Sequence, residues 1–263
     1  MRKTARLMLC ILISIAILSA CAKSSQETED GFHLLLLGDS SLGNLSETLP
    51  PLIEEDLGVK VVVDDHGASG LGLNSVLQQL RTGKSDRSEL IGLSEAISNA
   101  DMVVMFVGDP TGSLIPGNQF NQDGCIVGDT PPVNCNPASL EQYTKDLKWI
   151  WGEIFRLRNG QPTILRTMDL YSAVITQYKE NGILLDCTRC FENYSNAIHL
   201  AAEAYHIPFI RRYDVFNGVN HDEDAVAKGY IPEGDVHMSI LGAQVIAEQI
   251  AQLGYDPVQP PQK

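Results

Sequence analysis

Short apolar runs alternate with longer segments of helical periodicity along this chain, and this alternation constrains the fold more than any other feature. The runs are rich in aliphatic and β-branched residues and lie at 33–37, 59–63, 102–107, 163–166 and 207–213. Most of them are continuously apolar, which is typical of strands that are buried on both faces of a parallel sheet. The alternation therefore predicts a three-layer α/β domain with a parallel sheet of about five strands.

The segments between the runs carry helix signals. Residues 138–158 repeat apolar side chains at helical spacing, directly after Asn136 as a cap and Pro137 as a first-turn proline. The last helix is predicted to start at Ser239 and to end at Gly254. Five strands in the order 2-1-3-4-5 would form a flavodoxin-like sheet, in which ligands bind beyond the carboxyl ends of the strands, beside strand 1.

The first predicted strand ends in the sequence Gly38-Asp39-Ser40-Ser41-Leu42. A serine at the carboxyl end of the first strand is exposed at the edge of the sheet where ligands bind in a flavodoxin-like fold. Its hydroxyl becomes a nucleophile only if a base accepts its proton and if donors stabilise the oxyanion that forms. Alternatively, Asp39 or Ser40 caps the following helix, because Gly-Asp-Ser taken alone is a common sequence.

A histidine near the other end of the chain offers the base. It lies in Glu233-Gly234-Asp235-Val236-His237, just before the last predicted helix. A loop in this place brings His237 over the strand ends towards Ser40. The serine thus comes early in the chain, and the acid and the histidine come late and almost adjacent. The sequence lacks the G-x-S-x-G motif that carries the nucleophile of α/β-hydrolases.

These dispersed blocks resemble those of the SGNH hydrolases, also called GDSL-type esterases and lipases. The block at Ser40 is similar to the family's G-D-S-L, and Gly67-Ala68-Ser69-Gly70 is similar to the block that supplies an oxyanion-hole glycine. The resemblance implies an SGNH fold, Ser40 as nucleophile, His237 as base, and the backbone amides of Ser40 and Gly70 as oxyanion donors.

The third block of the family usually reads G-x-N-D, and its asparagine donates to the oxyanion. This chain has Gly108-Asp109-Pro110 at the corresponding place. Asp109 would have to be protonated in order to donate, which needs a desolvated site. Asn118 or Asn121 in the following loop is an alternative donor, and Asp109-Pro110 can also simply start a turn.

The acid of the family lies three residues before the histidine, where this chain has Gly234. Acidic residues stand on both sides of that glycine. Asp235 is our first candidate for orienting His237, because an irregular loop tolerates a shift of one residue. Glu233 is the second candidate, and a Ser–His dyad assisted by a backbone carbonyl is the third.

The amino terminus is predicted to be a targeting segment. Residues 1–20 have a basic head, an apolar stretch too short for a membrane span, and small residues before Cys21. This order resembles the lipobox of bacterial lipoproteins and implies cleavage before Cys21 and lipidation of that residue. We expect residues 21–31 to be a flexible tether, 32–256 to be the catalytic-type domain and 257–263 to be a disordered tail.

The charge of the chain limits its partners. Residues 1–20 contain three basic residues and no acidic ones, so their removal changes the formal charge from -14 to -17. Such an acidic chain is not expected to bind nucleic acid or to spread on anionic lipid by charge. We therefore expect an exported, membrane-anchored monomer that contacts the cell envelope only through its lipid.

Four cysteines remain in the predicted domain, and an even number in an exported protein suggests disulfides. Cys125 and Cys135 flank a Gly- and Pro-rich stretch and are predicted to pair, while Cys187 and Cys190 are candidates for a tight local bridge. The spacing of Cys187 and Cys190 to later histidines fits no zinc pattern well. No metal and no cofactor is expected.

The sequence therefore leads to a main function and two alternatives. The main hypothesis is a serine hydrolase that cleaves a small-molecule, lipid or carbohydrate ester through an acyl-enzyme. The first alternative is a degenerate SGNH fold that binds a cell-envelope or extracellular ligand without catalysis, suggested by the missing asparagine and the displaced aspartate. The second is a thiol or zinc protein centred on Cys187 and Cys190.

Overall fold

A computed structural model describes residues 31–108 and 137–260 of the chain. Five strands form one sheet in the order β2-β1-β3-β4-β5, and every neighbouring pair is parallel. The strands are β1 (Phe32–Asp39), β2 (Val61–Ala68), β3 (Met102–Phe106), β4 (Ile164–Met168) and β5 (Phe209–Ile210). The predicted α/β class, strand order and parallel sheet are confirmed.

Helices connect the strands and flank the sheet. Between β1 and β3 lie α1 (Leu45–Leu57), α2 (Leu73–Thr82) and α3 (Leu93–Asn99). The long helix α4 (Pro137–Leu157) precedes β4, and α5 (Ile175–Glu180) and α6 (Leu184–Glu203) follow it. The chain then continues through α7 (Arg212–Asn217) to α8 (Ile240–Gln252). Two single 3-10 turns lie at Ser40–Leu42 and Ser88–Leu90.

The strands at the centre of the sheet form the core. Leu34 to Leu37 in β1 are at most 1% exposed, and all five residues of β3 are buried. Continuous burial on both faces explains why the segment Leu34–Leu37 and strand β3 contain no polar residue. Helix α4 packs Tyr143, Ile150 and Trp151 into the same core, which confirms the apolar face predicted for residues 138–158.

Two strands differ from the sequence prediction for physical reasons. β2 is an edge strand and runs to Ala68, through the polar residues Asp64 and Asp65 that the apolar pattern excluded. An edge strand leaves one side to solvent, so it does not need a continuous apolar sequence. The predicted fifth run, 207–213, contains only the two-residue strand β5, because α7 already begins at Arg212.

The predicted disordered tail is wrong for its first residues. Val258 forms an antiparallel bridge with Thr163, just before β4, and is only 7% exposed. The two backbone hydrogen bonds between these residues, at 3.3 and 2.9 Å, fix the chain there.

In the described ranges, no helix has the length and the apolar character that a membrane crossing requires.

Candidate active site

Ser40 stands at the carboxyl end of β1, where the strand changes into a single 3-10 turn. Asp39 caps this turn, because its Oδ1 accepts a hydrogen bond from the backbone N–H of Ser41 at 2.9 Å. Ser40 does not act as the cap: its Oγ lies 3.0 Å from Nε2 of His237. The capping interpretation thus applies to Asp39, and it leaves the Ser40 hydroxyl available to the histidine.

Asp39 also connects the ends of the two central strands. Its Oδ2 accepts a hydrogen bond of 2.7 Å from the backbone N–H of Gly108, directly after β3. Burial raises the pKa of the Asp39 carboxyl, against the lowering effect of the N–H groups of Ser41 and Gly108 and of the Arg212 charge. The carboxyl therefore joins the Ser40 turn to the chain after β3, at the switch point of the sheet.

His237 lies in the loop before α8, and both of its ring nitrogens have partners. Nε2 lies 3.0 Å from Ser40 Oγ, and Nδ1 lies 2.7 Å from Oδ1 of Asp235. An ionised carboxylate only accepts hydrogen bonds, so the pairing assigns the proton to Nδ1 and leaves Nε2 as the acceptor for the serine proton. The residues Ser40, His237 and Asp235 thus form one hydrogen-bonded chain.

The acid is placed by a loop that differs from the usual spacing. Asp235 stands two residues before His237, and the preceding Gly234 has φ +75°, a conformation that favours glycine. Glu233, the second candidate, is exposed, whereas Asp235 contacts the ring. Of the three candidates, the geometry therefore favours Asp235 as the residue that orients His237.

Local backbone donors keep Asp235 ionised. Its Oδ1 accepts the N–H of His237 at 3.1 Å and that of Val236 at 2.6 Å. These two N–H groups, followed by the His237 side chain, hold the pKa of Asp235 below its usual range. The side chains of His237 and Asp235 are 43% and 45% exposed, so the pair faces solvent. The carboxylate of Asp235 is therefore ionised at neutral pH, and both side chains are accessible from solvent.

Two long-range hydrogen bonds hold the histidine loop in place. The amide of Asn44, just before α1, donates to the carbonyl of Met238 at 3.0 Å. The hydroxyl of Tyr171, after β4, donates to the carbonyl of Val236 at 2.8 Å. The backbone on both sides of His237 is thereby fixed to different parts of the domain.

Gly70 lies close to the end of β2, next to the Ser40 turn. β1 and β2 pair in register with Asp39 opposite Ala68, so Gly70 follows two residues beyond that pair. Its φ is +64°, and the guanidinium of Arg87 donates to the carbonyls of Ser69 at 2.9 Å and of Gly70 at 3.5 Å. These contacts fix the turn in which the predicted oxyanion donor lies. Asp109, Asn118 and Asn121 lie outside the described residues.

The structure places two buried polar residues near the site that sequence reasoning missed. Arg212 and Asp169 are both 0% exposed. Burial raises the pKa of Asp169 to about 6, although the hydroxyl of Ser195 and the N–H of Tyr213 donate to its carboxyl. The only signal in the sequence was a pair of arginines, Arg211 and Arg212, inside an otherwise apolar run.

The cysteines predicted to form disulfides are only partly covered. Cys187 and Cys190 lie one turn apart in α6 and are buried, while Cys21, Cys125 and Cys135 lie outside the described residues. The predicted disulfide pairing and lipidation stay predictions. Within 31–108 and 137–260, no group of three or more His, Cys, Asp or Glu side chains is arranged to hold a metal ion.

Comparison with known proteins gives matches in structure. No family model and no curated sequence matches the chain. A lipase from a goat rumen metagenome has a TM-score of 0.59 at 18% identity, over 86% of this chain and 98% of its own. An acetyl xylan esterase variant from Geobacillus stearothermophilus has a TM-score of 0.51 at 14% identity, over 86% and 96% of the two chains.

A third solved structure belongs to a protein assigned to the G-D-S-L family of lipolytic proteins, from Desulfitobacterium hafniense. Its TM-score is 0.51 at 13% identity, and the match covers 84% of this chain and 99% of the other. These identities are too low to transfer a substrate, but the coverage is nearly complete for each solved chain. The chain therefore has the fold of the SGNH hydrolases.

Proposed function

We propose that this protein is a serine ester hydrolase that cleaves a carboxylic ester through an acyl-enzyme. The observation that carries the proposal is the hydrogen-bonded chain from Ser40 through His237 to Asp235, at the carboxyl edge of the sheet. A serine, its base and the group that orients the base are the three parts of an activated nucleophile. The shared fold with a lipase and an esterase supports the same class of reaction.

Each residue has a defined role in the proposed reaction. Ser40 Oγ attacks the ester carbonyl carbon while its proton moves to His237 Nε2, and the carbonyl oxygen becomes an oxyanion. The backbone N–H groups of Ser40 and Gly70 stabilise that oxyanion. His237 then transfers the proton to the departing alcohol, which leaves an acyl group on Ser40. Water, deprotonated by His237, releases the acid, and Asp235 stabilises the imidazolium in both halves.

The substrate is proposed only as a chemical class. The solved structures with this fold include a lipase and an acetyl xylan esterase, and one fold serves many substrates. We therefore propose an ester of a small molecule, a lipid or a carbohydrate. The acidic chain, with a formal charge of -14, favours neutral esters over anionic ones.

A fluorophosphonate probe tests the nucleophile. We expect the folded wild-type protein to gain the mass of one phosphonyl group, on the tryptic peptide that contains Ser40. The Ser40→Ala variant is expected to gain none, since the attacking hydroxyl is absent. Ser98→Ala is the control, because Ser98 is an exposed serine of α3 whose hydroxyl donates to the carbonyls of Ser94 and Leu157; it should react like the wild type.

Absence of labelling in folded wild-type protein would contradict the proposed reaction and favour the alternative of a binding protein. Labelling that persists in Ser40→Ala would place the nucleophile elsewhere. Hydrolysis of p-nitrophenyl acetate, measured on the same samples, extends the test from a single covalent event to turnover.

We also propose that the chain is exported and anchored to a membrane through a lipid on Cys21. The support is the basic head, the apolar stretch and the small residues that precede Cys21. Cells that express the full chain with radioactive palmitate are expected to yield labelled protein, and Cys21→Ala is expected to abolish the label. An unlabelled wild type found in the soluble fraction would reject the anchor.

A further inference from the structure

A completely buried arginine lies beneath the Ser40 turn. Arg212 begins α7 and is 0% exposed. Its guanidinium lies between two aromatic rings, 4.3 Å from the centre of Phe106 and 4.7 Å from that of Tyr171. Burying a charge is costly unless hydrogen bonds and opposite charges compensate for it. The partners of the guanidinium therefore show which segments the cation holds together.

The donors of Arg212 connect the end of β4 to the Ser40 turn. Nε donates to the carbonyl of Asp169 at 2.7 Å, and Nη1 donates to the carbonyl of Ser41 at 2.8 Å. Nη2 lies 3.4 Å from the hydroxyl of Ser41. Ser41 directly follows Ser40, so the planar fork of the guanidinium holds the nucleophile turn at the backbone carbonyl and the hydroxyl of Ser41.

The same cation is connected to the histidine loop through Tyr171. The ring of Tyr171 packs against the guanidinium, and its hydroxyl donates to the carbonyl of Val236 at 2.8 Å. Val236 lies between Asp235 and His237. Burial raises the pKa of the Tyr171 phenol, so its hydroxyl stays protonated and keeps donating. Arg212 is thus linked on one side to Ser41 and on the other to the loop of His237.

Two carboxyl groups lie near Arg212: that of Asp39 belongs to the Ser40 turn, and that of Asp169 follows β4. The carboxylates of Asp39 and Asp169 both act electrostatically on the guanidinium, and both contribute to keeping it charged against the effect of burial. Asp39 in turn holds the N–H groups of Ser41 and Gly108. The cation is therefore the centre of a buried network that includes the turn after β1 and the chain after β3 and β4.

We propose that Arg212 is a positioning residue that sets the separation between Ser40 and His237. It touches neither reacting atom, and it acts by fixing the turn of Ser40 and, through Tyr171, the loop of His237. The inference rests on the proposed ester hydrolysis for its effect on rate. Its structural part, the joint fixation of the two segments, can be measured without any activity.

The test variant is Arg212→Lys. Lysine keeps the positive charge but has no planar fork, so it cannot hold the carbonyls of Asp169 and Ser41 together while packing between the rings. A misplacement of about 1 Å in a catalytic group lowers the rate about 100-fold, so we expect kcat for p-nitrophenyl acetate to fall about 100-fold while KM stays within about twofold. The rate of phosphonylation should fall in parallel.

A second variant tests the link to the histidine loop. Tyr171→Phe keeps the ring against the guanidinium and removes the hydrogen bond to Val236. One hydrogen bond of this kind contributes about 1 kcal/mol, so kcat is expected to fall about 3- to 10-fold. Because this change is small, the variant should fold even if Arg212→Lys is poorly soluble.

The chain offers a matched control in Arg166. This arginine lies in β4, is also 0% exposed, and donates to the carbonyls of Leu165 and Gly254 rather than to the site. Arg166→Lys should lower the melting temperature, as Arg212→Lys does, but it should leave kcat of the folded protein unchanged. A loss of rate that merely follows the loss of stability would appear in both variants.

Hydrogen–deuterium exchange measures the fixation of the Ser40 turn and the His237 loop separately from its effect on the reaction rate. In Arg212→Lys, peptides covering residues 40–44 and 233–239 should exchange faster than in the wild type, and in Arg166→Lys they should not. Unchanged exchange in Arg212→Lys, an unchanged kcat, or equal losses of kcat in both lysine variants would overturn the positioning role. A wild type without hydrolysis overturns the proposed function, and exchange then decides by itself whether Arg212 holds both segments.

Discussion

Replacing His237 by alanine is expected to lower kcat for ester hydrolysis by about 10⁴- to 10⁶-fold, the range found when one member of a catalytic serine–histidine pair is removed. The reason is that His237 Nε2 is the group 3.0 Å from Ser40 Oγ that can accept its proton. Without it, the hydroxyl stays protonated and is a weak nucleophile. The measurement is the initial rate with p-nitrophenyl acetate at neutral pH, at saturating substrate.

The stability of the variant should hardly change, since the His237 side chain is 43% exposed. A thermal unfolding curve checks this point. The control is His199→Ala, which removes an exposed histidine of α6 that stacks on Phe209 and should keep the wild-type rate. Retention of more than about one tenth of the wild-type kcat in His237→Ala would show that another group deprotonates Ser40.

Gly38→Ala is expected to destabilise the fold by about 3 kcal/mol, at the upper end of the usual cost of overpacking a core. A Cβ at Gly38 would clash with the backbone carbonyl oxygen of Phe106 in the neighbouring strand β3, and it would lie 2.6 Å from Cδ1 of Leu42. The carbonyl belongs to a central strand and cannot move aside. Urea denaturation, followed by circular dichroism, measures the loss.

The matched control for Gly38→Ala is Gly67→Ala. The two glycines are register partners on β1 and β2, but the close contact of a Cβ at Gly67 would be with the Asp65 side chain, 2.9 Å from Oδ1, while the Gly38 carbonyl oxygen would lie in ordinary contact at 3.8 Å. The carboxylate can rotate away at the cost of its hydrogen bond from the Gly67 N–H, so a loss of about 1 kcal/mol is expected. Equal losses in the two variants would show that steric exclusion is not what requires glycine at position 38.

Much of the fold could be predicted because its cause is local. The apolar runs of β1 and β3 are continuous because both faces of these strands are buried. Such burial can be recognised in the sequence as an uninterrupted run of apolar residues. The edge strand β2 and the short strand β5 were harder. Their neighbours and helix α7, rather than their own composition, decide where they begin and end.

The site shows the same division between local and distant causes. Ser40 and His237 were predicted from short motifs, and Asp235 was the first of three candidates for the acid because it is close to His237 in the chain. Arg212 and Tyr171 could not be predicted. The partner of Arg212 is Ser41, 171 residues away, and the partner of Tyr171 is Val236, 65 residues away. Such pairs become visible only when the strands are ordered in space.

The placement of Asp235 and His237 within one tripeptide has a consequence for how the site tolerates motion. In this chain the carboxylate is fixed by the N–H groups of the two residues that follow it, one of which is the histidine itself. The carboxylate also lies 2.7 Å from the imidazole Nδ1, so we expect the acid and the imidazole to move together when the loop moves. Motion of the loop then changes the reaction rate mainly by changing the distance between the His237 ring and the Ser40 hydroxyl.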